Sequence, residues 1–383
     1  MVVRPRPSVR TFAVEDTTAQ LTWRGLVAGR LRLQVPGTEV AVDLDVADGP
    51  GAVVLDGLPP GRDLVVEASG SALGPDGETR RAAVRTLERL PGAELARVAT
   101  VGDLHLGTTT FGHQGTIHEH PEPEVPHPRR CVGSALDDAV AWGAERLVVK
   151  GDITNHGQIG EWREYAELVA ASPIPVDALP GNHDRAFRGS AGLLPEEAAA
   201  AFGITMARPV LVRDLPGLRL VLLDSTTEHY NRGRVAPAAD EALDAIAEAD
   251  PSGAVLVAMH HQLQARPFSE GWPIGVSQHE SLDFLERAGR AHPHVLVTSG
   301  HTHRHRRWQH GGVTTTQVGS TKDYPGVWAG YVASEGGLRQ VVRRVSRPDC
   351  LEWTDHTRRA ALGVWRWVSP GLQSSRCFDL TWR

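Results

Sequence analysis

Five apolar runs in this chain end in residues that bind metal ions. RVATV leads into GDLHLG, with Asp103 and His105, and LVVK leads into GDITNHG, with Asp152, Asn155 and His156. PVDAL leads into PGNHD, with Asn182, His183 and Asp184; AVLVAM into His260 and His261; HVLVTS into GHTHRH, with His301, His303 and His305. Singly these are ordinary, because a GD after a strand is a common turn and a histidine at a strand end can be a satisfied polar contact. Five such endings in one stretch are not the work of independent turns, and together they point to a metal site. Carboxylate, imidazole and amide oxygen without thiolate suit hard or borderline divalent ions such as Mn, Fe or Zn, not a structural cysteine–zinc site. Asp103, His105, Asp152, Asn182, His260, His301 and His303 are too many for one ion. They suit two ions sharing a bridging carboxylate. Such pairs, roughly 3.5 to 4 Å apart, polarise a phosphoryl group, generate hydroxide near neutral pH and clamp an in-line displacement.

Residues two hundred apart can share a site only if the fold gathers the strand ends, as layered α/β proteins do at one sheet edge. From Ala96 onward the pattern supports this, with strands expected at 97–101, 146–150, 175–179, 218–223, 254–259 and 294–298. Helices alternate with them at Gly133 to Gly143, Gln158 to Ala171, Pro195 to Phe202, Pro237 to Ala249 and Gln278 to Ala291, followed by a closing meander of strands. From about Thr17 to Leu87 short alternating strands with Gly and Pro punctuation read instead as a small all-β sandwich. The expected organisation is α/β, with an all-β unit over 1–94, a catalytic unit over 95–346 and a tail over 347–383. The tail carries Trp353, Trp365, Trp367 and Trp382, too aromatic for disorder, and is expected to pack on the body. The His- and Pro-rich insert 108–130 is long for a connection and reads as a lid, with Phe111 and His113 near the pocket and His118, His120 and His127 in solvent.

At 383 residues the chain exceeds the size of one ordinary core. Its net charge of −6 disfavours a nucleic-acid polymer as partner. No apolar stretch reaches the length of a membrane span and the N-terminus has no signal-like apolar core, so a cytoplasmic location is expected. Cys131, Cys350 and Cys377 form no CxxC pair and are read as buried thiols, a Cys350–Cys377 bridge staying open.

Taken in order, GDLH, GDITN, GNHD, a histidine after a long spacer and GHTH resemble the calcineurin-like metallophosphoesterase superfamily from about Val98 to Val345. The resemblance implies a four-layer double β-sandwich flanked by helices, with a dinuclear metal centre at the strand ends. It implies that Asp103, His105, Asp152 and His303 hold one ion and that Asp152, Asn182, His260 and His301 hold the other. His183 would face the substrate phosphate and protonate the leaving group or stabilise transition-state charge, with Asp184 fixing its ring. If strand geometry persists, alternation places His301, His303 and His305 on one side. His305, without a counterpart in the family motif, is left as a rim, structural or substrate residue, and His261 as a neighbour of the ligand His260 or a pocket residue.

The front piece VVLDGLPPGRDLVVEA with RRAAVRTLE resembles a fibronectin type III domain, Leu64 standing where that family usually has tyrosine. Such a front domain before this catalytic pattern is similar to purple acid phosphatases, but their metal-binding tyrosine is Asn155 here and they lack the histidine at 105. The ligand set is more similar to bacterial cyclic-nucleotide and glycerophosphodiester phosphodiesterases. The implied activity is hydrolysis of a small phosphate ester, a diester ahead of a monoester, by in-line attack of a metal-bound hydroxide. A non-catalytic protein-binding scaffold is the rival, and a homodimer is left open. His156, Arg185, His261, Lys322 and Tyr324 are candidates to meet substrate.

Overall fold

The computed structural model describes residues 6–74, 78–185, 192–228, 230–266 and 273–382. Two six-stranded sheets form the body. The first orders its strands Val176–Leu179, Arg146–Lys150, Glu94–Val101, Val327–Ser334, Gly337–Arg344 and Phe378–Thr381. The first three run parallel and the remainder antiparallel. The second orders Val210–Leu215, Leu218–Leu223, Ala254–Met259, Val295–Ser299, Val313–Gln317 and Arg306–His310, with a parallel centre and antiparallel edges.

Side-chain parity in the second sheet explains why its strands read as unbroken apolar runs. Leu220, Leu222, Leu256, Ala258 and Leu296 face the core between the sheets, while Val221, Leu223, Val255, Val257, Met259 and Val297 face an outer core with Ile246, Phe284 and Leu285 of the helices Ala239–Ala247 and Gln278–Ala291. A strand covered on both faces loses its polar alternation. The inner faces of the two sheets also meet through polar contacts: Tyr331 Oη donates to Thr298 Oγ1 at 2.8 Å, and Thr316 Oγ1 to Gln340 Oε1 at 2.9 Å. The architecture is the α/β double sandwich with flanking helices that the motif pattern implied, preceded by a small all-β region.

That all-β region has a three-stranded sheet, Ser8–Val14, Ala19–Leu26 and Gly49–Leu55, and a four-stranded one ordered Ala41–Val46, Gly29–Gln34, Asp63–Ser69 and Arg80–Arg85. It does not hang free. Its buried residues share one apolar cluster with the body. Gln20 bridges to Arg344 in both directions, Nε2 donating to the backbone carbonyl and Oε1 accepting from the backbone N–H, each at 2.8 Å. Arg339 joins Asp16 and Asp379, and Glu15 meets Arg343.

Several sequence expectations shift. Strands Ser8–Val14, Val210–Leu215 and Arg306–His310 were not anticipated, being polar or half-buried edges with weak alternation. The helix expected from Gly133 begins six residues earlier, at His127, with Pro128 in its first turn where a missing N–H is tolerated. His127 is therefore not in solvent: it is buried and stacks on Trp353 with ring centroids 3.8 Å apart. The three cysteines are free and buried, without a Cys350–Cys377 bridge. Among the described residues, no helix is long and apolar enough to cross a membrane. Replacing Gln20 by Leu leaves the buried amide and carbonyl of Arg344 unpaired and is expected to cost about 3 kcal/mol. Urea unfolding should show one transition at a lower midpoint. An unchanged midpoint, or separation into two transitions, would mean that the all-β region is energetically independent of the body.

Candidate metal centre

The loops that leave the inner strands converge on the floor of one cleft, of about 760 Å³, bounded by His105, Asp152, Asn182, His183, His301 and His303 among others. Their backbone is unusual. Asp103, His105, Asp152, His301 and His303 all have positive φ, between 47° and 67°. For residues with a Cβ this left-handed region is sparsely used, and Asp and His are among the residue types enriched there. It turns each side chain back over the end of its own strand. Consequently the period-two alternation expected across His301, His303 and His305 does not persist, because extended structure stops at Ser299.

Neighbouring loops brace one another. His301 N–H donates to Asp103 Oδ1 and His183 N–H to Asp152 Oδ1, each at 2.9 Å. Gly181 approaches so closely that a Cβ there would lie 2.1 Å from Asp152 N, so no other residue fits between the two loops.

The buried side chains turn their ligand-type atoms towards one another. His260 Nδ1–H donates to the Lys150 carbonyl at 2.9 Å, which turns Nε2 towards Asp152 Oδ1 at 3.3 Å and Asn182 Oδ1 at 3.1 Å. His301 Nε2–H donates to the Ile274 carbonyl at 3.3 Å, leaving Nδ1 3.2 Å from the same His260 Nε2. On the other side, His105 Nε2 lies 3.5 Å from Asp152 Oδ2, and His303 Nε2 lies 3.5 Å from Asp103 Oδ1. Asp103 Oδ2 and His105 Nε2 are buried without any hydrogen-bond partner among the described residues. Buried polar atoms are seldom left so, and a cation is the group that satisfies several acceptors at once.

Three groupings there, Asp103–His105–His303, His105–Asp152–His183 and Asp103–Asp152–His260, have ligand atoms mutually close enough to hold an ion. A fourth is His260–His261–His301, so that two of the four include a histidine not expected as a ligand, His183 in one and His261 in the other. His261 is fully buried, takes a contact from Ser225 Oγ to Nδ1 at 2.9 Å and leaves Nε2 without a partner among the described residues.

Electrostatics agree with this geometry. Burial alone would raise Asp152, but His260 and His183 outweigh it and hold the carboxyl well below its usual range. Burial pushes His105 well down, and burial with the nearby His260 pushes His301 down to about 3, so both present neutral imidazoles, the form that binds a metal. Burial would also lower His260, yet Asp152 and Asp103 lift it to about 9, and a divalent cation would compete with that proton.

Other expected residues fall differently. Asp184 is engaged elsewhere. It accepts from the amides of Ile153, Thr154 and Gly181 and from Thr154 Oγ1, tying two site loops together, because the backbone turn of Asn182–Asp184 points it inward. The His183 ring is oriented by Nδ1–H donating to the Asn155 carbonyl at 3.0 Å. Of the five residues singled out to meet substrate, Lys322 lines the cleft. Arg185 is bound to Asp224 and Glu196, Tyr324 lies under Arg344 and Arg358, His156 points to solvent beside Asn155, and His261 is sealed off. His305 is no rim residue either; it is buried beneath Gly319 and Gly371.

Sequence reasoning missed Asp323, whose Oδ2 accepts from His303 Nδ1 at 2.5 Å, and the buried Lys150, which burial lowers to about 7. A signal for Asp323 existed: a ligand histidine needs an acceptor for its second N–H, and Asp323 sits between the two residues already singled out in STKDYPG.

A family model described as calcineurin-like phosphoesterase matches residues 96–305, more than half of the chain. A protein of Rhodococcus erythropolis (strain PR4 / NBRC 100887) described as a probable cyclic nucleotide phosphodiesterase is 29% identical over 169 residues, 41% of this chain and 51% of that protein. The chain thus spans about half the length of the curated relative it matches. Among solved structures, the purple acid phosphatase PPD1 from yellow lupin (Lupinus luteus) seeds aligns over 90% of this chain and 72% of its own, at 14% identity and a TM-score of 0.46. The fn3 domain of human collagen alpha-1(XX) chain aligns over 23% of this chain and 90% of its own, at 33% identity and a TM-score of 0.19.

Replacing Asp323 by Ala frees the second N–H of His303 and is expected to weaken metal binding about 10- to 100-fold, read by calorimetric titration of metal-stripped protein with Mn. Tyr324→Phe, next in sequence but outside the cleft, should keep the affinity of the parent. Equal affinities for the Asp323 variant and the parent would remove His303 from the ligand set.

Proposed function

We propose, since the chain belongs to the calcineurin-like phosphoesterase family, that it is a phosphodiesterase working with two divalent ions at the cleft floor. The observation that carries this is the convergence of Asp103, His105, Asp152, Asn182, His260, His301 and His303, whose unshared acceptor atoms include the partnerless Asp103 Oδ2 and His105 Nε2. One ion would sit among Asp103, His105, Asp152 and His303, the other among Asp152, Asn182, His260 and His301, with Asp152 shared. When bound, such a pair supplies Lewis acidity at the phosphoryl oxygens and a water that ionises near neutral pH.

The remaining work falls to the chain. His183, held through Nδ1 by Asn155, presents Nε2 to the cleft beside His105, at a centroid distance of 4.5 Å. From there it donates a proton to the departing ester oxygen. Lys322, almost fully buried, faces the same space and meets phosphate charge. A diester is favoured over a monoester by the modest supply of such charge. Arg185, the cation nearest in sequence to His183, is already neutralised by Asp224 and Glu196, so that Lys322 and Arg304 are the cleft's cations among the described residues, beside the amides Asn155 and Asn231. A singly charged ester fits that environment better than a dianion. The activity of the Rhodococcus relative points the same way.

The test compares initial rates on bis-p-nitrophenyl phosphate and p-nitrophenyl phosphate, using protein stripped of metal and reconstituted with Mn. The diester should be preferred by about tenfold or more in kcat/KM. A monoester preference would make the protein a phosphatase, and no Mn-dependent rate on either would favour the scaffold reading. Asp152→Ala should lose paired metal and activity together. His183→Ala should lower kcat about 10²- to 10⁴-fold while metal content stays at the parent level; loss of metal instead would make His183 a ligand.

A further inference from the structure

One wall of the cleft comes from segments that neither six-stranded sheet requires. Phe111 lies on the two-stranded hairpin Thr110–Phe111 with Ile117–His118, and Trp365 opens the four-residue helix Trp365–Val368 near the C-terminus. Their ring centroids are 6.0 Å apart at an interplanar angle of 53°, making an aromatic corner, and Phe111 is nearly coplanar with His303, at 20° and 6.4 Å. Both rings are half-buried and line the same space as His105, Asp152 and His183. Two cations stand on them: Lys322 Nζ is 4.9 Å from the Phe111 centroid and Arg304 Cζ is 5.8 Å from that of Trp365.

Trp365 is held there deliberately by the fold. Its Nε1–H donates to Asp323 Oδ1 at 3.3 Å, on the carboxylate whose other oxygen accepts from His303. The turn before it places Ala361 and Leu362 at positive φ, 49° and 56°, and leaves Leu362 in solvent, where Trp367, two residues after Trp365, also lies. A segment that accepts unfavourable backbone and exposes apolar side chains, and in doing so brings one indole into the cleft, is not explained by packing alone.

We propose that Phe111 and Trp365 form a stacking wall for a planar aromatic substituent on the ester, either a nucleobase or a simple aryl group, while Lys322 meets the phosphate. The chemistry fits because a flat ring is tolerated by any aromatic surface, and the cations beside these rings add attraction for the phosphate to which that ring is joined. The C-terminal segment thereby becomes a specificity element of a site whose metal-type ligands all lie before residue 305. The proposal rests on the phosphoesterase reading above.

Three p-nitrophenyl diesters with the same leaving group test it on the Mn-reconstituted full chain: methyl, phenyl and thymidine 5′-p-nitrophenyl phosphate. The parent should show KM for the phenyl and thymidine esters about tenfold below that for the methyl ester. A lower value for thymidine than for phenyl assigns the wall to nucleobases; an equal or higher one assigns it to aryl groups. Trp365→Ala and Phe111→Leu should bring the methyl-to-phenyl KM ratio towards one, whereas Trp365→Phe, which keeps a ring, should restore most of it. Calorimetry with phenylphosphonate and methylphosphonate gives the same ratio without turnover. Hydrolysis of all three esters at one KM, together with equal binding of the two phosphonates, which lack the p-nitrophenyl ring common to the esters, would overturn the wall and leave the phosphodiesterase reading standing. Hydrolysis of none would overturn that reading, and the phosphonate ratio would then decide the wall by itself: a Trp365-dependent preference for phenylphosphonate keeps it and equal binding removes it.

Discussion

Asp152 carries a carboxylate at 2% exposure, with His105, His183 and His260 around it. Removing such a group from water costs several kcal/mol unless opposite charge and donors replace the hydration. The arrangement of the site loops follows from that requirement. Backbone N–H groups from one loop are aimed at the carboxylate of another, as His183 is at Asp152 and His301 at Asp103. Asp184, buried and raised to about 6 by burial and by Asp152, is spent on three amides and a hydroxyl and so fastens the loop bearing Asp152 to the loop bearing Asn182. Glycine stands at the crossings because nothing larger fits.

The same loops separate what a sequence can reveal from what it conceals. Asp103, Asp152, Asn182, His260 and His301 are legible because each follows an apolar run, and sheets with both faces covered make those runs conspicuous. The ligand-type residues gather where the motif order implied. Roles that depend on direction are not legible. Asp184 follows His183 in sequence, yet its carboxylate is taken by the amides of Ile153, Thr154 and Gly181 and the hydroxyl of Thr154. Arg185 is adjacent to the site and still unavailable, since its partners Asp224 and Glu196 arrive from elsewhere in the chain. The alternation argument at His301–His305 fails because period two belongs to extended backbone, and positive φ abolishes it. Composition misled at His127, where a Pro-rich stretch that reads as loop already contains the first turn of a helix.

Long-range placement was equally hidden in the tail. A tryptophan-rich C-terminus can be expected to pack, but not where. Strand Phe378–Thr381 adds an edge to the first sheet, Trp353 closes over His127 with its indole N–H on the Lys322 carbonyl, and Trp365 reaches the cleft. Strand Gly337–Arg344 sits between these additions and the all-β region, pairing with the tail on one side while Arg339, Arg343 and Arg344 reach the sandwich.

The left-handed backbone at Asp103, His105, Asp152, His301 and His303 has an effect on which sequences can occupy this fold. If the proposed ions are held there, each position is filtered twice, once for an atom that can coordinate and once for a residue that tolerates positive φ. Valine, isoleucine and threonine fail the second filter whatever they offer at the first. Asparagine and glycine pass it, one keeping an oxygen and the other keeping nothing. A lineage released from holding metal would thus be expected to drift first to Asn and Gly at these five places, retaining the shape of the cleft.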